Sequence, residues 1–392
     1  MTARPQGLPG ATVAALGFVT FLLMLPETLP VPVLRGLVVE RFGIGPALAS
    51  LFLSANMIGA LLAAPLVGLF VDRTGARRRI AIAALFADAL LMQALAHPAS
   101  YGSFLLLRVL EGAAHITALT LVMGLVADTA GERRGRALGC LGAGLTLGVA
   151  TGAAIGGQIG RDDPLRTLHV ASAVLAVAGL LAARVLPADV AGVARPRAGE
   201  VWRALRAEPG TRTPLLVAFI ERFTVGFFTA GFPLMLPAGT PAEKARIGML
   251  LAAFLFPFAL LSWPCGRAAE RWSRVAMVAG GSAVYGVGTM LVGVVPHGAL
   301  WALMPLLGLG SAVMFVPSLL WLLERAPGVS RTTAMAAFHA VGSLGFLLGP
   351  LCCGQLIALG GDGPNGYALA FAVAGCSEII AAALVLVAAR PR

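Results

Sequence analysis

Charge is scarce in this sequence. Charged residues make up 12% of its 392 positions, against roughly 25% in ordinary soluble domains. Lysine is nearly missing: Lys244 is the only one among 29 basic residues, a bias assigned to a GC-rich genome rather than to chemistry. The five cysteines, Cys140, Cys265, Cys352, Cys353 and Cys376, all fall inside apolar segments. They show neither metal-ligand spacing nor a disulfide framework, so they are read as small core residues and no metal site is expected. Enzyme signatures are absent too, with no His-Glu-x-x-His, no Gly-x-Ser-x-Gly and no nucleotide-binding loop. A non-enzymatic protein without a cofactor is therefore expected, and ATP-driven pumping within the chain is excluded.

What is present is hydrocarbon. Hydrophobic residues reach 58% and the mean hydropathy is +0.88, which identifies an integral membrane protein. A net charge of +11 in a soluble chain would suggest nucleic acid. Here the arginines sit in the gaps between apolar runs, so the expected partner is the lipid bilayer, with no nucleic acid. The run from Ala11 to Leu25 has the look of a signal peptide, but the cleavage-like Ala47-Leu48-Ala49 lies too far beyond it, past Arg35, Glu40 and Arg41. It is read as the first helix.

At about 20 apolar residues per span, the sequence predicts an all-α fold of twelve transmembrane helices, over 10–35, 45–70, 79–97, 100–127, 137–160, 166–187, 213–237, 247–266, 274–296, 299–323, 333–359 and 366–389. The widest polar gap, 188–212, carries Arg195, Arg197, Arg203 and Arg206 and divides the chain into two six-helix halves, 1–187 and 213–392. On this map Arg35, Arg41, Arg161, Arg166, Lys244 and Arg246 fall on one side. Only Arg108 and Arg222 lie within helices, and the other arginines share the opposite side. By the bias of basic residues toward the cytoplasm, both termini are expected there. The halves repeat internally: one offset sets Gly148, Gly152, Gly157 and Gln158 on Gly345, Gly349, Gly354 and Gln355.

Three stretches carry ionisable chemistry at membrane depth. On the fourth helix Arg108, Glu111 and His115 project from one face, either into a bundle interior or cavity or as a structural Arg-Glu pair. On the first helix Glu27 is a lone carboxylate among Pro26, Pro30 and Pro32, either a proton or cation site or a carboxylate at a bend near the outer surface. On the seventh helix Glu221 and Arg222 are adjacent, so one is expected to line a cavity while the other snorkels. Phe227 and Phe254 suit an apolar substrate wall or an ordinary core. Asp88, Glu378 and His339 are read as structural.

Between the second and third helices the chain reads Gly68-x-x-x-Asp72-Arg73-x-Gly75-Ala76-Arg77-Arg78, a charged turn that cannot lie in hydrocarbon. It resembles the signature of the major facilitator superfamily at this place, with Ala76 as an extra residue. Arg108-x-x-x-Gly112 is similar to the family's fourth-helix motif, whose arginine is linked to proton coupling. Gly148-x3-Gly152-Ala153-x2-Gly156-Gly157 is similar to the pattern of its twelve-helix drug:proton antiporters, with Ala153 in place of a proline. The partner pattern, Gly345-x3-Gly349-Pro350, keeps its proline. A helix-packing seam accounts for both patterns equally.

The resemblance implies two pseudo-symmetric six-helix bundles and a monomeric secondary transporter of a bacterial inner membrane, working by alternating access. Proton-coupled efflux of a small molecule is the first reading. An importer or facilitator of a sugar, organic acid or other metabolite is the second, and Ala153 speaks for it. Proton coupling is assigned by this likeness to Glu27, Arg108, Glu111 and His115. Gating falls to Gly68, Asp72, Arg73, Gly75, Arg77, Arg78 and Asp128, with Arg73 expected to reach Asp128 and Asp72 to sit near Arg331–Ala334. A substrate cavity is expected at Glu221, Arg222, Phe227 and Phe254.

Overall fold

The computed structural model describes residues 8–131, 134–189, 208–329 and 331–389, with Gly199, Arg203 and Arg206 of the linker. Twelve long helices are found among them, and no strand. They are α1 (Gly10–Thr28), α2 (Leu51–Thr74), α3 (Arg77–Ala94), α4 (Tyr101–Thr129), α5 (Arg134–Ile159), α6 (Leu165–Val185), α7 (Arg212–Met235), α8 (Pro241–Ala268), α9 (Arg274–Val292), α10 (Leu300–Glu324), α11 (Arg331–Leu359) and α12 (Pro364–Ala388). Eleven spans are long and apolar enough to cross a membrane. The exception is α3, whose 18 residues include Arg77, Arg78, Arg79 and Asp88.

The first helix ends earlier than its apolar run. Pro30 and Pro32 lack the N–H groups that the carbonyls of Pro26 and Thr28 would accept in a continuing ladder. The α-helix stops at Thr28, and the chain goes on as a 3-10 turn, Val31–Val33, and a π-helical stretch, Arg35–Glu40. Glu27 is thereby set in the last turn. Ser100 starts α4 as the N-terminal cap of a reciprocal pair with Ser103, satisfying amides that no helical carbonyl reaches.

The chain forms two compact units, Met1–Leu37 with Ala55–Ala194 and Gly239–Gly248, and Val38–Ser54 with Arg195–Ala238 and Met249–Arg392. The linker-based division at 188–212 differs from these units in two segments. In the second unit Ser54 Oγ donates to the carbonyl of Leu347 at 3.0 Å, and a Cβ on Gly354 would meet the Ala47 carbonyl at 2.7 Å. In the first, a Cβ on Gly248 would meet the Ala153 carbonyl at 2.6 Å and one on Gly157 the Lys244 carbonyl at 2.5 Å. Small residues let these backbones touch, and the contacts carry the segments with them.

The glycine pattern of α5 is a seam against α1. Gly144, Gly148, Gly152 and Gly156 lie on the carbonyls of Gly17, Phe21, Leu25 and Leu29, one turn apart on each helix, and any Cβ there would collide with backbone. In the second unit Gly345 and Gly349 lie on the carbonyls of Phe219 and Phe223, and Pro350 packs on Gly226. Dispersion at this close approach replaces the hydrophobic drive that lipid cannot supply.

Gly139, on the same helix as the seam, has open space where a Cβ would stand. Gly152→Ala is therefore expected to lower the thermal midpoint of the purified protein by several degrees, and Gly139→Ala to leave it within error or raise it slightly. Equal midpoints for the two variants in a fluorescence-detected melt would show that the α1/α5 approach is not limiting.

Candidate functional site

The ionisable residues of α1 and α4 meet in the interior of the first unit, joined there by two residues from α2 and α3. Arg108 NH1 donates to Glu111 Oε2 at 2.5 Å, and its NH2 lies 3.6 Å from Glu27 Oε2. Asn56 on α2 donates from Nδ2 to Glu111 Oε2 at 2.9 Å and to Glu27 Oε1 at 3.5 Å. His115 Nδ1 sits between two carboxylates, 2.9 Å from Asp88 Oδ2 and 3.3 Å from Glu27 Oε1. The cluster runs continuously from Asp88 through His115 and Glu27 to Asn56, Glu111 and Arg108.

Gly112 makes this possible. The backbone of α2 at Asn56 lies where a Cβ of Gly112 would be, and the carbonyl of Val109 on α4 lies where a Cβ of Gly59 would be. Two glycines, one on each helix, let α2 and α4 touch, and so the short Asn56 side chain spans to Glu111. The spacing of Arg108 and Gly112 thus has a geometric reason: the arginine holds Glu111 from its own helix and the glycine admits the amide from the next.

Burial decides what the cluster does with charge. Glu111 and Asp88 are 0% exposed, Arg108 1% and His115 7%, while the Glu27 side chain keeps 15%. Three carboxyl groups face one guanidinium and one imidazole. With His115 cationic and every acid ionised the cluster is short of one positive charge, and with His115 neutral it is short of two. A buried net charge is costly enough that such a group takes up a proton or a cation instead. Glu111 Oε1, Asp88 Oδ1 and His115 Nε2 have no hydrogen-bond partner among the described residues.

Glu27, Glu111 and His115 bring ligand atoms within 4.8 Å of one another, a donor set that suits a divalent metal by type. Arg108 already holds both carboxylates, so a divalent ion would stand against a fixed positive charge. The arrangement fits a proton or a single positive charge better.

The other expected sites divide. Asp128 is taken by Arg77, NH1 to Oδ2 at 2.6 Å, with both side chains largely buried. This gives Asp128 a partner other than the expected Arg73. Arg78 caps the end of α6, donating to the carbonyls of Ala183 and Leu186 at 2.5 and 3.0 Å, a cation on a helix C-terminus. Gly75 adopts φ +66° and donates its N–H to the Val71 carbonyl at 2.8 Å, the left-handed cap that ends α2. The side chains of Asp72 and Arg73, and the surroundings of Gly68, lie outside the described residues. Glu221 and Arg222 do not separate into a cavity-lining and a snorkelling residue: both are buried, 3% and 7% exposed, and pair at 3.7 Å. Phe227 and Phe254 are buried in an aromatic core, Phe227 against Phe223 and Phe254 against Phe228 and Tyr285.

The family model described as Major Facilitator Superfamily matches residues 16–240 and 214–392. The chain belongs to the major facilitator superfamily. Its multi-pass membrane character, its transporter fold and its non-enzymatic nature follow from that membership and from its spans. Among solved structures it is similar to a point mutant of the nucleoside transporter NupG, with TM-score 0.78, 13% identity and coverage of 97% of this chain and 99% of the other. It is also similar to a bacterial homologue of the human lysosomal transporter Spinster in an inward-facing, occupied conformation, with TM-score 0.79, 15% identity and coverage of 97% and 96%. At these identities the likeness is one of fold. No curated protein sequence matches the chain.

Two members of the cluster escape sequence reasoning. Asn56 is a single amide in an apolar run and carries no charge to draw notice. Asp88, read as structural on a peripheral helix, bonds His115 at 2.9 Å, because α3 packs on α4 and turns its one acid inward.

Removing one partner of a buried ion pair typically costs about 3–5 kcal/mol. Arg108→Gln is expected to destabilise the protein on that scale, and Arg108→Gln with Glu111→Gln to recover most of the loss. Chemical unfolding of both variants in the same lipid or detergent would measure it, and additive losses would show that the pair is not coupled.

Proposed function

We propose that this protein is a proton-coupled secondary transporter that exports a small, partly apolar or cationic compound by alternating access. What supports this reading is the charge deficit of the buried cluster together with the partial exposure of Glu27 alone. A group short of positive charge, with one carboxylate at its edge, exchanges a proton or a cationic substrate at that edge. His115, with Nδ1 between Asp88 and Glu27, is placed to pass a proton between them.

In this reading the loop at Gly68 to Arg78 serves the inner gate. Its base is held within the first unit by Arg77 on Asp128 and by Arg78 on α6, and Asp72 is the gating carboxylate. Both termini face the cytoplasm, the membrane is a bacterial inner membrane, and the working form is the monomer. The second reading is an importer or facilitator of a sugar, organic acid or other metabolite. It is favoured by Ala153, which leaves α5 without a proline from Arg134 to Ile159.

Proteoliposomes loaded with ethidium, or with a mixture of nucleosides and sugars, separate the two readings. Export against an imposed proton gradient in the ethidium arm supports the antiporter, and counterflow confined to the metabolite arm overturns it. Glu27→Gln is expected to reduce gradient-driven ethidium transport at least about tenfold while counterflow of the same compound continues, since exchange without net proton movement does not need the carboxylate to titrate. Unchanged gradient-driven transport in Glu27→Gln would remove Glu27 from coupling.

A further inference from the structure

The second unit holds its own buried ionisable cluster, on helices that carry none of the residues discussed for proton coupling. Glu221 and Arg222 on α7 are one anion and one cation, with Oε2 and NH1 3.7 Å apart. Arg222 also lies over the rings of Phe338 and Phe315, 4.5 and 5.0 Å from their centroids, and donates to the Ala218 carbonyl at 3.3 Å. That pair is balanced. Glu378 on α12 is 0% exposed and pairs with no cation among the described residues.

Its setting is defined by close packing. A Cβ on Gly286 of α9 would stand 3.0 Å from the Glu378 Cβ and 2.8 Å from the Gly375 carbonyl, so α9 and α12 fix the root of the side chain. The carboxyl group has Thr224, Ser282 and Glu221 as neighbours, and Tyr285 lies within electrostatic range of both acids. Neither oxygen of Glu378 has a partner in hydrogen-bonding geometry among the described residues: Thr224 Oγ1 bonds the Ile220 carbonyl at 2.8 Å and Ser282 Oγ lies 3.4 Å from Met314 Sδ. A buried carboxylate with neither a cation nor a hydrogen bond in place is costly, and a proton on it removes that cost.

We propose that Glu378 holds a resident proton, and that Glu221, Arg222 and Glu378 form a second proton-binding site in this protein, separate from the Glu27 cluster. A sodium ion in the same place would require several oxygen ligands at once, of the kind that broken helices supply from their carbonyls. Neither α9 nor α12 has a proline after its first turn, so their carbonyls stay in the ladder. One hydrogen satisfies what the site lacks. The titratable groups in range of it are Glu221 from α7 and Tyr285 from α9, and Arg222 faces Glu221. From α10 come only the neutral Ser318 and Trp321, and His339 on α11 faces Arg222.

The proton itself is the probe, and infrared spectroscopy of the full chain in lipid nanodiscs near neutral pH reads it. The parent should show protonated-carboxyl C=O absorption, sensitive to deuterium exchange, and the parent-minus-Glu378→Gln difference spectrum should contain one such band that the parent-minus-Glu27→Gln difference lacks. Glu378→Asp should keep a band at a shifted frequency. The site is overturned if the Glu378→Gln difference contains no such band, or if replacing potassium by sodium at constant pH abolishes it. Should Glu378→Gln fail to fold, Glu378→Asp decides, an unshifted band overturning the site.

Discussion

A charge inside a membrane bundle must be balanced where it stands, and the first unit is arranged around one such balance, the 2.5 Å contact of Arg108 with Glu111. Neither charge can reach water, so the pair persists only if nearby backbone and side chains leave it the right space. Gly112 and Gly59 provide that space by bringing α2 onto α4, which in turn places Asn56 on the carboxylate of Glu111. Glu27, 3.6 Å from the same guanidinium, also shares a single imidazole with Asp88. The surplus of acid over base is that of three carboxyl groups on one guanidinium and one imidazole.

The break in α1 belongs to the same arrangement. A carboxylate in the middle of an unbroken helix would be held at fixed height by the ladder on both sides. Glu27 has a regular ladder only behind it, since Pro30 and Pro32 end the α-helix at Thr28. Thr28 anchors the bend by donating to the Val149 carbonyl of α5 at 2.6 Å. The seam of glycines packs the helix closely on α5 and the chain beyond Thr28 is 3-10 and π-helical, so Glu27 stands at the junction of a regular and an irregular segment.

Much of this was legible in the sequence. Twelve apolar runs, the charged turn at Gly75, the common face of Arg108, Glu111 and His115, and the glycine seams follow from period and composition, which act within one helix or between neighbours in the chain. What was not legible depends on which helix face meets which. Asp88 looks peripheral until α3 is set against α4, and the pairing of Arg77 with Asp128 appears only once the folded turn fixes where that side chain stands. The end of α1 was overestimated for a different reason: hydropathy counts proline as tolerable, whereas the missing amides end the ladder regardless of lipid. Adjacency on one helix suggests different environments for Glu221 and Arg222, yet aromatic rings on α10 and α11 cover the arginine and both are buried.

The internal repeat separates what folding needs from what it does not. Gly148 lies on the carbonyl of Phe21 and Gly345 on that of Phe219; Gly152 lies on Leu25 and Gly349 on Phe223. In that register Glu27, two residues beyond Leu25, corresponds to Val225, two residues beyond Phe223. The same seam thus closes in the second unit with an apolar residue where the first has its exposed-edge carboxylate. Nothing in the α7/α11 packing suffers for it, since the neighbouring Gly226 simply accepts Pro350. The fold dispenses with a buried acid in one copy, and such an acid costs free energy in the other; that asymmetry supports the chemical role proposed for Glu27 over a role in assembly.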